Sequence, residues 1–309
     1  MIKPPTRAHS SMRSHLLFCL CTVFLFACAS AELQELDASK HRQAKALLSL
    51  GFINLTDTPT LTLTLTRNKT RGAREKTVAP DVFVFIEGDG APWSLFGTRP
   101  PSDPTPRRSI ALDLARTTAI KSPASVLYVA RPCQFLAAAT FTKCATEAWA
   151  SKRYSNEQLA LLLSSTEQGL KSLGKNTLPS LRIILVGHSG GGVMAIRVGA
   201  ALIRGGHDVV GVVTLASPID PITWSENHRF SALDVDTYYN DMDLLAQGQV
   251  ASHYVGKNDK LVGLADTRER YRDTPKKISE VAGVEHVAGW LEYWEHVIFD
   301  EISDQTLDK

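Results

Sequence analysis

The chain has 309 residues, 44% of them hydrophobic, and a formal charge of +2. A chain of this size and polarity builds one large globular domain or two small ones. The charge is nearly balanced, with no long basic or acidic block, which excludes a nucleic-acid partner because phosphate binding needs a concentrated basic face.

At the N-terminus, Lys3, Arg7 and Arg13 precede Leu16 to Ala27, a run of 12 residues in which only Thr22 is polar. A membrane span needs about 20 apolar residues, so the run reads as the core of a secretory signal. It ends in Leu25-Phe26-Ala27-Cys28, which resembles the bacterial lipobox, a small residue before a cysteine that is acylated and becomes the mature N-terminus. Cys28 is accordingly the expected lipidation site and residues 1–27 the signal peptide. An ordinary signal peptide cut near Ala31 is the alternative. The lipid would anchor the chain to a bacterial membrane on the periplasmic side of the cell envelope.

The five cysteines lie at 19, 21, 28, 133 and 144. The first two leave with the signal and Cys28 carries lipid. Cys133 and Cys144 remain as an even pair in an oxidising compartment, so a disulfide is expected. Closing so short a loop stabilises by about 3 kcal/mol in the chain-entropy model. Two free buried thiols are the alternative. No metal site is expected, since no His or Cys stands nearby at ligand spacing.

Residues 28–58 read as a polar tether followed by a helix, with Ala44, Leu47 and Leu48 on one face. Thr60 to Thr66 alternates strictly, the pattern of a strand near an edge with one wet face and one apolar face. Arg71 to Lys76 reads as a charged turn. Then Val82–Ile86, Ser125–Val129, Leu181–Val186 and Val209–Leu215 are continuously apolar, as in strands covered on both faces. Helical segments alternate with them at Ile110–Ile120, Glu157–Leu173 and Val193–Ile203. Ser252–Val255 is a further strand, leading into a helix near Arg268–Tyr271. Lys277–Val281 is the last strand, and a long helix runs from His286 onward. The alternation predicts an α/β domain over residues 59–309, with a mainly parallel, doubly wound sheet of about eight strands and helices on both faces. Gly88–Arg108 and Pro221–Val250 are long insertions, the second cap-like and expected to cover the site.

Gly187-His188-Ser189-Gly190-Gly191 follows the apolar strand directly and precedes a helical segment. A serine on a sharp strand-to-helix turn is exposed at the top of a sheet, next to the free amides of a helix N-terminus. Here the chain resembles the α/β-hydrolase superfamily, from roughly Leu61 to the C-terminus. The strings Phe85-Ile86-Glu87-Gly88-Asp89-Gly90-Ala91-Pro92-Trp93, Asp103-Pro104-Thr105-Pro106-Arg107 and Arg131-Pro132-Cys133-Gln134-Phe135 resemble a group of uncharacterised bacterial α/β-hydrolase-like lipoproteins. A serine hydroxyl needs a base, and the base an orienting acid. The superfamily order is Ser, acid, His. Gly256-Lys257-Asn258-Asp259-Lys260-Leu261-Val262 resembles the turn that carries the acid and selects Asp259. His286 follows the last strand and is the expected base, with His296 as its rival. One oxyanion amide belongs to Gly190, and the other to Gly88 or Asp89. Glu87 and Asp89 stand near this anion site either to brace the loop or to bind a cationic substrate group. His188 flanks the nucleophile and lines the pocket or packs.

Other patterns fail. Gly169 to Lys175 approaches a P-loop but meets Asn176 where Ser or Thr is required, and it ends a helix instead of following a strand. There is no His-Glu-x-x-His and no Cys-x-x-Cys. The helix face of Trp290 and Trp294 reads as core. The expected activity is acyl transfer by a Ser-His-Asp triad on an ester or thioester. The expected protein is a monomer that takes a small-molecule or acylated substrate and uses no cofactor or metal. An acyltransferase or peptidase with the same triad, or a non-catalytic envelope-assembly lipoprotein on this scaffold, are the alternatives.

Overall fold

The computed structural model describes residues 42–55, 58–67, 80–90, 100–136, 144–173, 181–248, 251–264, 266 and 278–295. The signal segment, Cys28, the turn at Arg71–Lys76, the helix near Arg268–Tyr271 and His296 lie outside them. Residues Gln43–Lys309 form one compact unit.

Among the described residues the strands are β1 (Ile53–Leu55), β2 (Thr62–Leu65), β3 (Val82–Ile86), β4 (Ser125–Val129), β5 (Arg182–His188), β6 (Asp208–Leu215), β7 (Ala251–Gly256) and β8 (Ile278–Val281). The helices are α1 (Arg42–Ser49), α2 (Ile110–Lys121), α3 (Asn156–Leu173), α4 (Gly190–Arg204), α5 (Pro221–Asn227), α6 (Tyr238–Gly248) and α7 (Trp290–Tyr293). The eight strands form one sheet in the order β1-β2-β4-β3-β5-β6-β7-β8. β2 runs antiparallel to β1 and β4, and every later pairing is parallel. This is the expected α/β-hydrolase fold. The first strand, β1, precedes residue 59, where the domain was expected to begin.

Strand alternation sorts the core into two layers. Val82, Val84 and Ile86 of β3 face one way, with Ile183 and Leu185 of β5, against Leu162, Leu170, Val193 and Met242. Phe83 and Phe85 face the other way, against Leu114, Trp290 and Trp294. Each such side chain, fully buried, contributes about 1.5–3 kcal/mol. The Trp294 ring meets Phe83 and Phe85 edge-on at 6.4 and 5.8 Å, and its Nε1 donates to Thr118 Oγ1 at 2.9 Å, so both tryptophans are core as expected.

The structure corrects three expectations. The threonine face of β2 is not wet: Thr62 and Thr64 are buried, and α3 covers that side, with Thr60 Oγ1 donating to Ser165 Oγ at 3.0 Å. No helix starts at His286, because residues 282–289 form turns that place the ring before α7 begins at Trp290. The Pro221–Val250 insertion is not all cap. Its second half is α6, whose Tyr238, Met242 and Leu245 are buried in the core beside α4. Parallel strands require a crossover connection, and α6 lies with α5 in the one from β6 to β7.

Candidate active site

Ser189 sits between the last residue of β5 and the first of α4, with φ 54° and ψ −131°. A non-glycine residue held at such angles costs of order 1–3 kcal/mol and needs surroundings that impose them. The Ser189 amide donates to the Leu215 carbonyl of the neighbouring strand at 2.8 Å, and the Ser189 carbonyl accepts from Gly192 at 2.9 Å. Gly187 permits the sharp return, because a Cβ there would lie 2.2 Å from the Gly191 carbonyl oxygen.

Three loops at one end of the sheet bring the predicted residues together. His286 Nε2 stands 3.1 Å from Ser189 Oγ, and His286 Nδ1 2.9 Å from Asp259 Oδ2. The Asp259 side chain is fully buried, whereas that of His286 keeps 18% exposure. The Asp259 Oδ1 accepts from the amides of Leu261 and Val262 at 2.8 and 2.9 Å, which locks its rotamer. Burial pulls the Asp259 carboxyl upward. The hydrogen bond and charge of His286, with the two amides, outweigh that pull and hold it below its ordinary value. The acid and base loops are also tied by backbone, Lys257 to Val281 and Asn258 to Val284.

The Glu87–Gly90 loop lies against the elbow, where a Cβ on Gly190 would fall 2.0 Å from Asp89 Oδ1. The Gly88 amide donates to Glu87 Oε1 at 2.9 Å, and the Gly88 carbonyl accepts from Gln134 Nε2 at 2.9 Å. In a trans peptide the N–H points opposite to the C=O, so the Asp89 amide faces away from Gln134. Of the two candidate amides, the Gly88 N–H is taken and that of Asp89 remains.

Both acids of this loop turn inward. Glu87 accepts from the hydroxyls of Ser109 and Tyr128, the latter at 2.7 Å. Burial raises its carboxyl above the ordinary value, against the pull of Ser109, Tyr128, the Gly88 amide and Arg131. Asp89 pairs with Arg131 at 2.8 Å and Arg153 at 2.9 Å, and accepts from Tyr154 at 2.6 Å. All these partners are buried, so the bracing reading of Glu87 and Asp89 is the one the geometry favours. Gln134 and Arg153 carry no functional signal in the sequence, since Gly88 and Asp89, the loop residues they hold, lie tens of residues away. Cys133 and Cys144 are joined by a disulfide, Cα to Cα 5.9 Å, on the segment that presents Gln134. Among the described residues no group of His, Cys, Asp and Glu could hold a metal ion.

No protein-family model and no curated protein matches the chain. Similar solved structures include XC6422 from Xanthomonas campestris, an α/β serine hydrolase without a lid. It is 11% identical, covers 81% of this chain and 94% of its own, and has a TM-score of 0.47. A hyperthermophilic esterase from the archaeon Pyrobaculum calidifontis is 13% identical, with 89% and 92% covered and a TM-score of 0.48. The esterase Est22 is 16% identical, with 98% and 92% covered and a TM-score of 0.46. At such identities and TM-scores these likenesses carry no argument about the chain. The strand order and the strand–serine–helix elbow define the class independently: the protein has the α/β-hydrolase fold with a serine at its elbow.

Proposed function

We propose that the protein is a serine hydrolase acting by acyl transfer. The supporting observation is the relay Ser189 Oγ–His286 Nε2–His286 Nδ1–Asp259 Oδ2, at 3.1 and 2.9 Å, drawn from three separate loops. Ser189 Oγ gives its proton to His286 Nε2 and bonds to the substrate carbonyl carbon. Asp259 keeps the proton on Nδ1, so that Nε2 is free to accept, and it offsets the imidazolium charge. The amides of Gly190 and Asp89 hold the oxyanion. Collapse breaks the bond to the leaving group, which takes the proton from His286. Water then attacks the acyl-serine, passes a proton to His286, and the acid departs as Ser189 recovers its hydrogen. An ester or thioester is the favoured substrate and an amide the second. The basic N-terminus, apolar run and Cys28, with the paired Cys133 and Cys144, support action in the cell envelope as a lipid-anchored protein. The test is turnover of a short-chain nitrophenyl ester by the soluble part of the chain. Wild-type protein should hydrolyse it and Ser189→Ala should not. Equal rates for both would overturn the proposal.

A further inference from the structure

His188 precedes the elbow serine and is buried, yet its ring is bonded to the loop that carries His286. Its Nε2 lies 2.6 Å from the backbone carbonyl oxygen of His286. A carbonyl only accepts, so Nε2 carries the proton and donates. On the other side, His188 Nδ1 faces the oxyanion loop, 3.9 Å from where a Cβ on Gly88 would stand. The rings of His188 and His286 are 5.2 Å apart and tilted by 53°, and they bond to different partners, the His286 carbonyl for His188 and Asp259 with Ser189 for His286. The His286 carbonyl also accepts from Trp290 Nε1 at 3.1 Å. The loop between β8 and α7 is thus tied to the elbow strand at the residue that carries the base.

We infer that His188 is a positioning residue: its Nε2–H pins the His286 main chain and holds the base over Ser189. This rests on the serine-hydrolase reading above. A misplacement of a catalytic group by an ångström slows reaction by about 100-fold, and the pinned carbonyl anchors the His286 main chain while Asp259 anchors its ring. The ring must also stay neutral, because a second positive charge 5.2 Å away would oppose the imidazolium formed on His286. Burial, followed by the charge of His286, holds His188 down at about 3, well below the range in which a catalytic histidine works.

Length separates donation from mere occupancy. Glutamine carries an N–H donor at the reach of Nε2, whereas asparagine is too short and methionine has none. With a nitrophenyl ester, His188→Gln should keep kcat within about 3-fold of wild type, while His188→Asn and His188→Met lose about 10- to 100-fold with KM nearly unchanged. If methionine prevents folding, the Gln–Asn pair alone decides. Equal kcat for Gln and Asn, or losses confined to KM, overturn the inference. In either of those cases Ser189→Ala remains inactive and the serine-hydrolase reading stands. That reading fails instead if the folded wild-type protein has no Ser189-dependent turnover.

Discussion

Asp259 makes a different use of each carboxylate oxygen. Oδ1 takes two backbone amides and Oδ2 takes the proton on His286 Nδ1. Asp259→Asn can keep the first pair through its carbonyl oxygen, but it presents an NH2 group to Nδ1 and forces the wrong tautomer. The fold should survive while kcat falls by about 10⁴-fold; a loss under about tenfold would show that His286 is not oriented this way. His188 gives a second outcome at this scale, readable in stability. Its native ring resists protonation down to about 3, whereas the unfolded ring titrates near 6.5. Below that upper value the unfolded chain binds more protons, so stability is lost as pH falls. At about pH 5 the loss reaches about 2 kcal/mol. Urea midpoints at about pH 7 and about pH 5 should therefore converge in His188→Gln relative to wild type. A variant as acid-sensitive as the parent would contradict the buried neutral ring. Ser189, Asp259 and His286, which the structure brings together, were legible because each sits in a local pattern after a strand. The role of His188 was not, because its bond partner is 98 residues away.

The elements position the site through close approach at the end of β5. Gly187 is held against the Gly191 backbone, which sets how near α4 lies to the strand. Gly187→Ala must push the helix start away, at about 1–3 kcal/mol for such overpacking. It should also shift the Gly190 amide from the oxyanion position proposed for it, so labelling of Ser189 should fall with the thermal midpoint. Labelling at the wild-type rate would show that the elbow tolerates a wider turn. The strands of the buried sheet were readable because their apolar runs have no polar face. The error at β2 has a physical cause: threonine is both a polar residue and a β-former, so Thr62 and Thr64 signalled water where α3 in fact covers them. Likewise α6 falls inside the expected cap because Pro221–Val250 reads as one long insertion. Tyr238 is instead core, and Tyr239 donates to Asp220 Oδ1 at 2.7 Å.

At the scale of the molecule, a two-layered core around one sheet leaves three loops to converge at one end, and only long-range contacts decide what they do. The pairing of Asp89 with Arg131, Arg153 and Tyr154 links the Glu87–Gly90 loop to the segments that follow β4, a closure that no local pattern announces. The proposed lipid anchor lies at the opposite extreme, legible only in local sequence and outside the described residues. Cys28→Ala should move the protein from the membrane fraction to the soluble fraction of a bacterial host without changing its turnover of the nitrophenyl ester. Retention on the membrane would contradict anchoring at Cys28. The central claim is that Ser189 is the nucleophile, and covalent labelling by a fluorophosphonate probe followed by peptide mapping tests it most directly. A single label on Ser189, absent in Ser189→Ala and strongly slowed in His286→Ala, is the predicted result. A folded wild-type protein that takes no label, or an Ser189→Ala protein that labels as fast as wild type, would contradict it.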